Sequence, residues 1–185
     1  MRKLIYSMGV SLDGYIAGPD DKFDWAAPDE ELHRFHNEQT RVLGGHLCGR
    51  RLYETMRPWD EIDERSAPSA TELEFARIWQ ATPKLVFSRT LDEVGANATL
   101  VEGDAVEEVT RLKEESGGPL AVGGAGLAAT LVRAGLVDEF GIFVNPVVVG
   151  GGKPFFPSLE SRLGLELLET RTFGSRVVYL RYGRG

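Results

Sequence analysis

The sequence is poor in cysteine, in positive charge and in long apolar runs, and each shortage excludes a class of protein. One cysteine, Cys48, among 185 residues excludes an intrachain disulfide and a zinc site built from several cysteines. A formal net charge of -7 argues against nonspecific nucleic-acid binding, which requires a basic surface. No stretch is long enough to span a membrane, and residues 1–6 lead directly into a strand-like run, unlike a signal peptide. We therefore expect a cytoplasmic protein.

The composition, 42% hydrophobic and 26% charged, is typical of a globular protein, and the length favours one domain over residues 1–185. Apolar patterns predict strands and helices in alternation, followed by strands alone. The predicted strands are Lys3–Val10, Tyr15–Ala17, His46–Cys48, Lys84–Phe87, Leu100–Glu102, Pro119–Val122, Val137–Val149, Leu163–Thr170 and Val177–Tyr182. The predicted helices are Asp29–Leu43, one between Gly49 and Pro58, Leu73–Gln80, one capped by Asp104 and Glu107, and Leu127–Ala134. This order predicts an α/β fold with a largely parallel sheet, helices on both faces and an antiparallel edge.

The stretch Gly123-Gly124-Ala125-Gly126 joins a buried strand to a helix. Glycine lets the backbone turn sharply there and leaves no β-carbon between the amides and a ligand. The N–H groups at the start of the helix favour an anion such as a pyrophosphate. Glycine is also the usual punctuation of a strand-to-helix junction, so this turn alone fits either interpretation.

Two further strands end in comparable turns, Gly49-Arg50-Arg51 and Ser88-Arg89-Thr90. Ligands of open α/β sheets lie outside the carboxyl ends of the strands, so the three turns are expected to line one crevice. Backbone amides would hold phosphates there, and Arg50, Arg51 or Arg89 would grip a further phosphate. Alternatively, the arginines are solvated and the hydroxyls cap turns. The combination favours a phosphorylated dinucleotide.

Four segments, in order along almost the whole chain, carry a resemblance to a known family. They are Ser11-Leu12-Asp13-Gly14-Tyr15-Ile16-Ala17, Gly49-Arg50-Arg51-Leu52-Tyr53-Glu54, Val122-Gly123-Gly124-Ala125, and residues 146–156, PVVVGGGKPFF. The first three resemble signatures of the dihydrofolate reductase-like superfamily. The fourth is similar to the C-terminal reductase domain of the bifunctional riboflavin-biosynthesis deaminase–reductase and its free-standing relatives.

This resemblance implies a dihydrofolate reductase-like three-layer αβα fold and an NADPH-dependent reductase acting on a pterin- or pyrimidine-like small molecule. Ile16 and Ala17 would meet the nicotinamide, and Arg50 would hold the 2′-phosphate. The other cofactor-binding residues that it implies are Gly49, Arg51, Leu52, Ser88, Arg89, Thr90, Gly123, Gly124, Ala125, Gly126 and Leu127. Leu52 stands where classical dihydrofolate reductases have a threonine, which removes one phosphate hydrogen bond.

The substrate side of the predicted site offers several carboxylates. The resemblance places a proton-relaying carboxylate at the start of the helix after residue 28, where Glu31 is the nearest match and Glu30 the next. Acids at a helix N-terminus also stabilise the helix dipole, and Asp13 is either a substrate ligand or a turn-former. Trp25 would stack on a planar substrate or anchor its loop, and Tyr53 is a second candidate substrate contact. Residues 18–30 and 57–72, including a polar loop over 60–72, are expected to shape the pocket.

Other functions remain as alternatives. They are true dihydrofolate reduction, nucleotide or flavin binding without turnover, and, disfavoured by the charge, nucleic-acid binding. His33 and His36 lie three residues apart without a third ligand, so we expect no metal site. The zinc deaminase signature of the bifunctional enzymes is absent, so we expect no deaminase activity. The resemblance also implies a homodimer joined through the C-terminal strands, with indirect support from the apolar run Ile142–Val149.

Overall fold

A computed structural model describes residues 1–66 and 68–185. The strands in this part of the chain are β1 (Leu4–Val10), β2 (Tyr15–Ala17), β3 (Gly45–Gly49), β4 (Lys84–Phe87), β5 (Ala98–Val101), β6 (Leu120–Gly123), β7 (Glu139–Val144), β8 (Lys153–Pro154), β9 (Leu165–Thr172) and β10 (Val178–Arg184). The helices are α1 (Glu30–Arg41), α2 (Arg50–Met56), α3 (Ala70–Ala81), α4 (Ala105–Glu114) and α5 (Ala125–Arg133). Among the described residues, no helix is long and apolar enough to cross a bilayer.

Eight strands form the main sheet in the order β5-β4-β3-β6-β1-β7-β10-β9, and β2 pairs separately with β8. The strands from β5 to β7 are parallel to their neighbours. The C-terminal strands β10 and β9 are antiparallel and complete one edge. The sequence prediction of a mostly parallel sheet with an antiparallel C-terminal edge is therefore confirmed.

Alternation along the strands distributes apolar side chains to two faces. On one face, Leu4, Tyr6 and Val10 of β1 pack with buried residues of α4 and α5. On the other face, α1 covers Phe143 and Tyr179 of the C-terminal strands. The helices α2 and α3 lie on this second face as well, over buried residues of β3 and β4. Helices thus flank both faces of the sheet, as an αβα arrangement requires.

Several predicted boundaries differ from the structure. Helix α3 begins at Ala70, three residues before the predicted Leu73, because Ser69 and Glu72 form a reciprocal capping box at its start. At α4, Asp104 accepts hydrogen bonds from the N–H groups of Val106 and Glu107, but no return bond from the Glu107 carboxylate occurs in the described part of the chain.

The predicted strand over 137–149 and the predicted loop over 60–72 also need correction. β7 covers only Glu139–Val144, because the chain turns after Asn145, where the N–H of Val147 donates to the carbonyl oxygen of Asn145. The predicted polar loop begins at the end of one 3₁₀ segment, Arg57–Asp60, and contains a second, Glu64–Ser66, and the start of α3. Ala67, within that predicted loop, lies outside the described residues.

Candidate active site

The central strand β1 has a neighbour on each side, yet Ser7 and Gly9 are only half-buried. Their side-chain positions lie on the face opposite to that of Leu4 and Tyr6, since side chains alternate along a strand. Ala26, in the loop before α1, covers Gly9, because a β-carbon on Gly9 would lie 3.3 Å from the β-carbon of Ala26. Part of this face of β1 is therefore covered by the loop and part is accessible.

The three turns predicted to bind a dinucleotide lie side by side at the carboxyl edge of the sheet. The pairing register places Gly49, the last residue of β3, beside Phe87 of β4 and one step beyond the Cys48–Gly123 pair. The turns that follow these strands therefore begin at the same level of the sheet. Their adjacency follows from the parallel order β4-β3-β6.

Glycines allow two of these turns to approach each other closely, and we call Gly49, Gly123 and Gly124 the glycine cradle. Gly124 has φ +94, a conformation that side chains with a β-carbon rarely adopt, and it caps the start of α5. A β-carbon on Gly124 would lie 3.5 Å from the Cα of Gly49. A β-carbon on Gly123 would lie only 2.1 Å from Cδ2 of Leu52. Glycine at these positions therefore allows the two turns to pack against each other and against Leu52.

Helix α5 begins at the cradle and adds its first N–H groups. The amides of Ala125, Gly126 and Leu127 lie in the first turn, where a helix provides no carbonyl partner. The space around Gly126 is open, since a β-carbon there would meet no atom within 4 Å. These amides and the positive end of the helix are suited to an anion.

Leu52 contributes packing rather than a polar contact to the cradle. Its side chain covers Gly123 and packs against the apolar cluster around Tyr53 and Trp79. The leucine side chain at this position therefore fills space, but it has no group that could donate a hydrogen bond to a phosphate.

Two arginines follow the cradle at the start of α2, and both are exposed. Nε of Arg50 lies 4.0 Å from Oε1 of Glu54, so this guanidinium is only loosely held. Nη1 of Arg51 lies 3.1 Å from Oδ2 of Asp21, in the loop between β2 and α1. Arg50 is thus the freer cation, whereas Arg51 is directed toward that loop.

The turn after β4 uses the Ser88 hydroxyl for its own structure. The hydroxyl oxygen accepts hydrogen bonds from the N–H groups of Thr90 and Leu91. Arg89 and Thr90 are exposed on the outside of this turn. Ser88 therefore shapes the turn, and the exposed pair supplies the polar groups at this end of the crevice.

The residues predicted to meet a nicotinamide lie in β2. Ile16 points its side chain into the main core, so this segment offers mainly backbone atoms to a ligand. Ala17 pairs with Lys153 of β8, and a β-carbon on Gly152 would lie 2.1 Å from the carbonyl oxygen of Ala17. The close backbone contact at Gly152 fixes the position of β2.

Asp13, predicted to be either a substrate ligand or a turn-former, links the turn before β2 to the segment before β8. Its carboxylate accepts hydrogen bonds from the N–H groups of Val149, at 3.2 Å, and Gly150, at 2.8 Å. A hydrogen bond from Ser11 is the main cause, with these amides, of the lowered pKa of Asp13. The carboxyl group is therefore ionised near neutral pH and has no proton to give.

The carboxylates of Glu30 and Glu31 also have partners within the protein. Glu31 accepts a hydrogen bond from the N–H of Gly174 at 3.0 Å, in the β9–β10 turn, and lies 3.3 Å from Nη2 of Arg171. Glu30 pairs with Arg34 one turn along α1. The carboxylates expected to relay a proton thus link α1 to the C-terminal hairpin and stabilise the helix surface.

The two predicted substrate contacts have different positions. Trp25 is partly buried and lines an open pocket of about 420 Å³. The other residues that line it are Gly18, Pro19, Asp20, Lys22, Asp24 and Val149. Tyr53 is only 1% exposed, and its hydroxyl accepts a hydrogen bond from the N–H of Gly95 at 2.7 Å. Tyr53 has no surface for a substrate, so we leave it out of the candidate site.

Asn145, which is not among the predicted site residues, organises the end of the central strands. Its buried side-chain amide donates hydrogen bonds to the carbonyl oxygens of Val10 and Phe143. It therefore fixes the carboxyl end of β1 against β7, next to Gly9. The signal for it was a polar residue directly before Pro146, at the end of an apolar run.

Comparison with known proteins shows the family of this chain. The family model of the RibD C-terminal domain matches residues 2–179. The chain belongs to the RibD C-terminal domain family. The uncharacterized protein YyaP of Bacillus subtilis is 35% identical over 184 residues, which cover 98% of this chain and 94% of YyaP.

Solved structures show the fold of this RibD C-terminal domain. A proposed riboflavin biosynthesis protein from Shewanella sp. PV-4 is 23% identical, with a TM-score of 0.77 and coverage of 99% of both chains. Dihydrofolate reductase from Enterococcus faecalis, complexed with NADP(H), is 16% identical, with a TM-score of 0.63. That match covers 99% of this chain and 96% of the reductase. The expected dihydrofolate reductase-like fold is therefore confirmed.

Proposed function

We propose that this chain is an NADPH-dependent reductase that transfers hydride to a pterin- or pyrimidine-like small molecule, as in riboflavin biosynthesis. Membership of the RibD C-terminal domain family supports a reductase of the riboflavin-pathway or dihydrofolate reductase type. The observation that carries the proposal is the glycine cradle at the carboxyl ends of two adjacent parallel strands.

The residues present fit a phosphorylated dinucleotide. The cradle and the first amides of α5 suit a pyrophosphate, because these amides lack carbonyl partners in the helix and the space around Gly126 is open. We assign the 2′-phosphate to Arg50, which is exposed and loosely paired. At the other end of the crevice, Arg89 and Thr90 are exposed beside the expected adenosine half. The E. faecalis dihydrofolate reductase with the same fold carries NADP(H).

The chain's own residues bind, orient and shield, while the cofactor supplies the hydride when it is bound. Backbone atoms of Ile16 and Ala17 would orient the nicotinamide, since β2 is fixed by β8 and Gly152. Trp25 and its loop would cover the substrate in the adjacent pocket. Because Asp13, Glu30 and Glu31 are engaged in other contacts, we propose that water supplies the proton.

A panel of dihydropterins, aminopyrimidines and small ketones tests this function. The purified protein is mixed with NADPH and each compound, and oxidation is followed by the absorbance of the reduced nicotinamide. Turnover of an aminopyrimidine or pterin supports the proposal. Rapid turnover of dihydrofolate would instead indicate true dihydrofolate reduction, and tight cofactor binding without oxidation of any kind would indicate a binding protein.

We further propose that the single domain works in the cytoplasm as a homodimer joined through its C-terminal strands. The run Ile142–Val149 gives little support, because β7 lies inside the sheet between β1 and β10. Strand β9 gives more support for a dimer, since it lies at the edge of the sheet. Its residues Leu167 and Leu168 are 56% and 47% exposed to solvent. Leu167→Lys is expected to convert a dimer to a monomer in light scattering, whereas a monomeric wild-type protein would exclude the dimer.

A further inference from the structure

Asp21 joins three segments that are distant in sequence. Oδ2 of its carboxylate lies 3.1 Å from Nη1 of Arg51, directly after the glycine cradle. Oδ1 pairs with Nζ of Lys153 at the start of β8. Asp21 itself belongs to the loop between β2 and α1. Lys153 and then Arg51 hold the pKa of Asp21 below its ordinary value, so the carboxylate is charged at neutral pH.

The backbone around Asp21 fixes the direction of its side chain. Asp21 has φ 63, in the left-handed region that aspartate tolerates better than most residues. Its N–H donates to the carbonyl oxygen of Gly18 at 3.0 Å, and the N–H of Gly18 donates to that of Lys22 at 2.8 Å. The carboxylate therefore projects from a closed turn and not from a free loop.

Lys153, one of the two cations that contact Asp21, is also held in place by the pairing of β8 with β2. Lys153 pairs with Ala17, and the preceding Gly152 touches the backbone of Ala17 and Gly18. The side chain of Arg51, in contrast, is 68% exposed, and its ion pair with Asp21 is its contact with this framework. Asp21 thus restrains a long side chain that would otherwise sample many rotamers.

We propose that Asp21 is a positioning residue that holds the guanidinium of Arg51 toward the phosphates of the cofactor. Arginine has five N–H donors, and the contact with Asp21 leaves others available for a phosphate. The same contact ties the loop between β2 and α1 to the cofactor turn. The cofactor part of this inference rests on the proposed function, whereas the link between loop and turn does not.

The direction in which Asp21→Asn changes the affinity for NADPH distinguishes a positioning role from an effect of charge alone. Asp21→Asn removes one negative charge beside an anion site, and charge alone predicts tighter binding of NADPH. Positioning predicts weaker binding, because Arg51 loses the contact that orders it. Since Arg51 lies beside the pyrophosphate cradle, NADPH and NADH should be affected equally.

Glu38, exposed on α1 and outside the loop, provides a control for the loss of one carboxylate charge. We expect Asp21→Asn to raise the Kd for both cofactors about threefold to fivefold, the upper part of the range for exposed ion pairs. Asp21→Glu should recover part of the loss, and Glu38→Gln should leave the Kd unchanged.

Hydrogen exchange without cofactor tests the link independently. Amides in residues 18–24 should exchange faster in Asp21→Asn than in wild type or Glu38→Gln, after correction for intrinsic rates. Unchanged exchange would overturn the link. If wild type binds NADPH and Asp21→Asn binds it equally well or better, positioning is overturned and the proposed function stands. If wild type binds neither cofactor, the proposed function fails, while faster exchange in Asp21→Asn would still support the link.

Discussion

Gly124→Ala places one methyl group in the glycine cradle. This small change tests whether the cradle binds the pyrophosphate. The φ of +94 at this position strains any residue with a β-carbon, which costs about 1–2 kcal/mol. Steric conflict adds little, because the nearest atoms, in Gly49, would lie at an ordinary contact distance of 3.5 Å. For a chain of this size, the loss corresponds to a fall in Tm of about 2–8 °C. The fold should therefore survive.

Cofactor affinity should fall much further than stability in this variant. The new methyl group would lie beside Gly49, where the cradle presents bare backbone to the pyrophosphate. We expect at least about a tenfold rise in the Kd for NADPH, which is about 1.4 kcal/mol of binding free energy. Gly164→Ala is the control, because a β-carbon there meets no atom within 4 Å. Thermal unfolding by circular dichroism and a fluorescence titration give the two quantities. A folded Gly124→Ala protein with unchanged affinity would refute the assignment of the cradle.

Three further changes test individual side chains. Arg50→Ala should weaken the binding of NADPH much more than the binding of NADH in parallel titrations. An equal effect on both affinities would show that Arg50 does not bind the 2′-phosphate. Leu52→Thr introduces a hydroxyl beside the cradle and should raise the affinity for both cofactors by a few-fold, as one added hydrogen bond of about 1 kcal/mol implies. Unchanged or weaker binding would contradict the placement of a phosphate beside Leu52. Glu31→Gln should cost at most about 1 kcal/mol of unfolding free energy, because its partners Arg171 and Gly174 are exposed. The kcat of Glu31→Gln should stay near that of wild type. A large loss of kcat would instead support Glu31 as the carboxylate that relays the proton.

The parts of the site that the sequence predicted are those set by backbone geometry. A strand followed by Gly123 and Gly124 has few conformations available, and parallel strand order brings such turns to one edge. The positions of the turns after β3, β4 and β6 follow from this local pattern. The antiparallel edge was equally readable, because strands without intervening helices pair as hairpins.

The parts that the sequence did not predict depend on long-range side-chain partners. Glu31 matches the expected position of a catalytic acid, but its hydrogen bond from the N–H of Gly174, some 140 residues later in the β9–β10 turn, has no sign in the local sequence. Tyr53 is polar enough for a substrate contact, but its hydroxyl accepts a hydrogen bond from Gly95 inside the core. Asn145 stands out as a polar residue before Pro146, but the local sequence does not show that its partner is Val10. Such partners depend on the completed fold, and residue type alone does not reveal them.

Titration of the purified protein with NADPH and NADH tests the central claim most directly. Energy transfer from tryptophan to the reduced nicotinamide reports binding, and Trp25 lies in the loop beside the predicted nicotinamide site. The proposed function predicts micromolar binding of NADPH with a clear preference over NADH. Binding of neither cofactor would contradict it and would leave the glycine cradle as a structural turn.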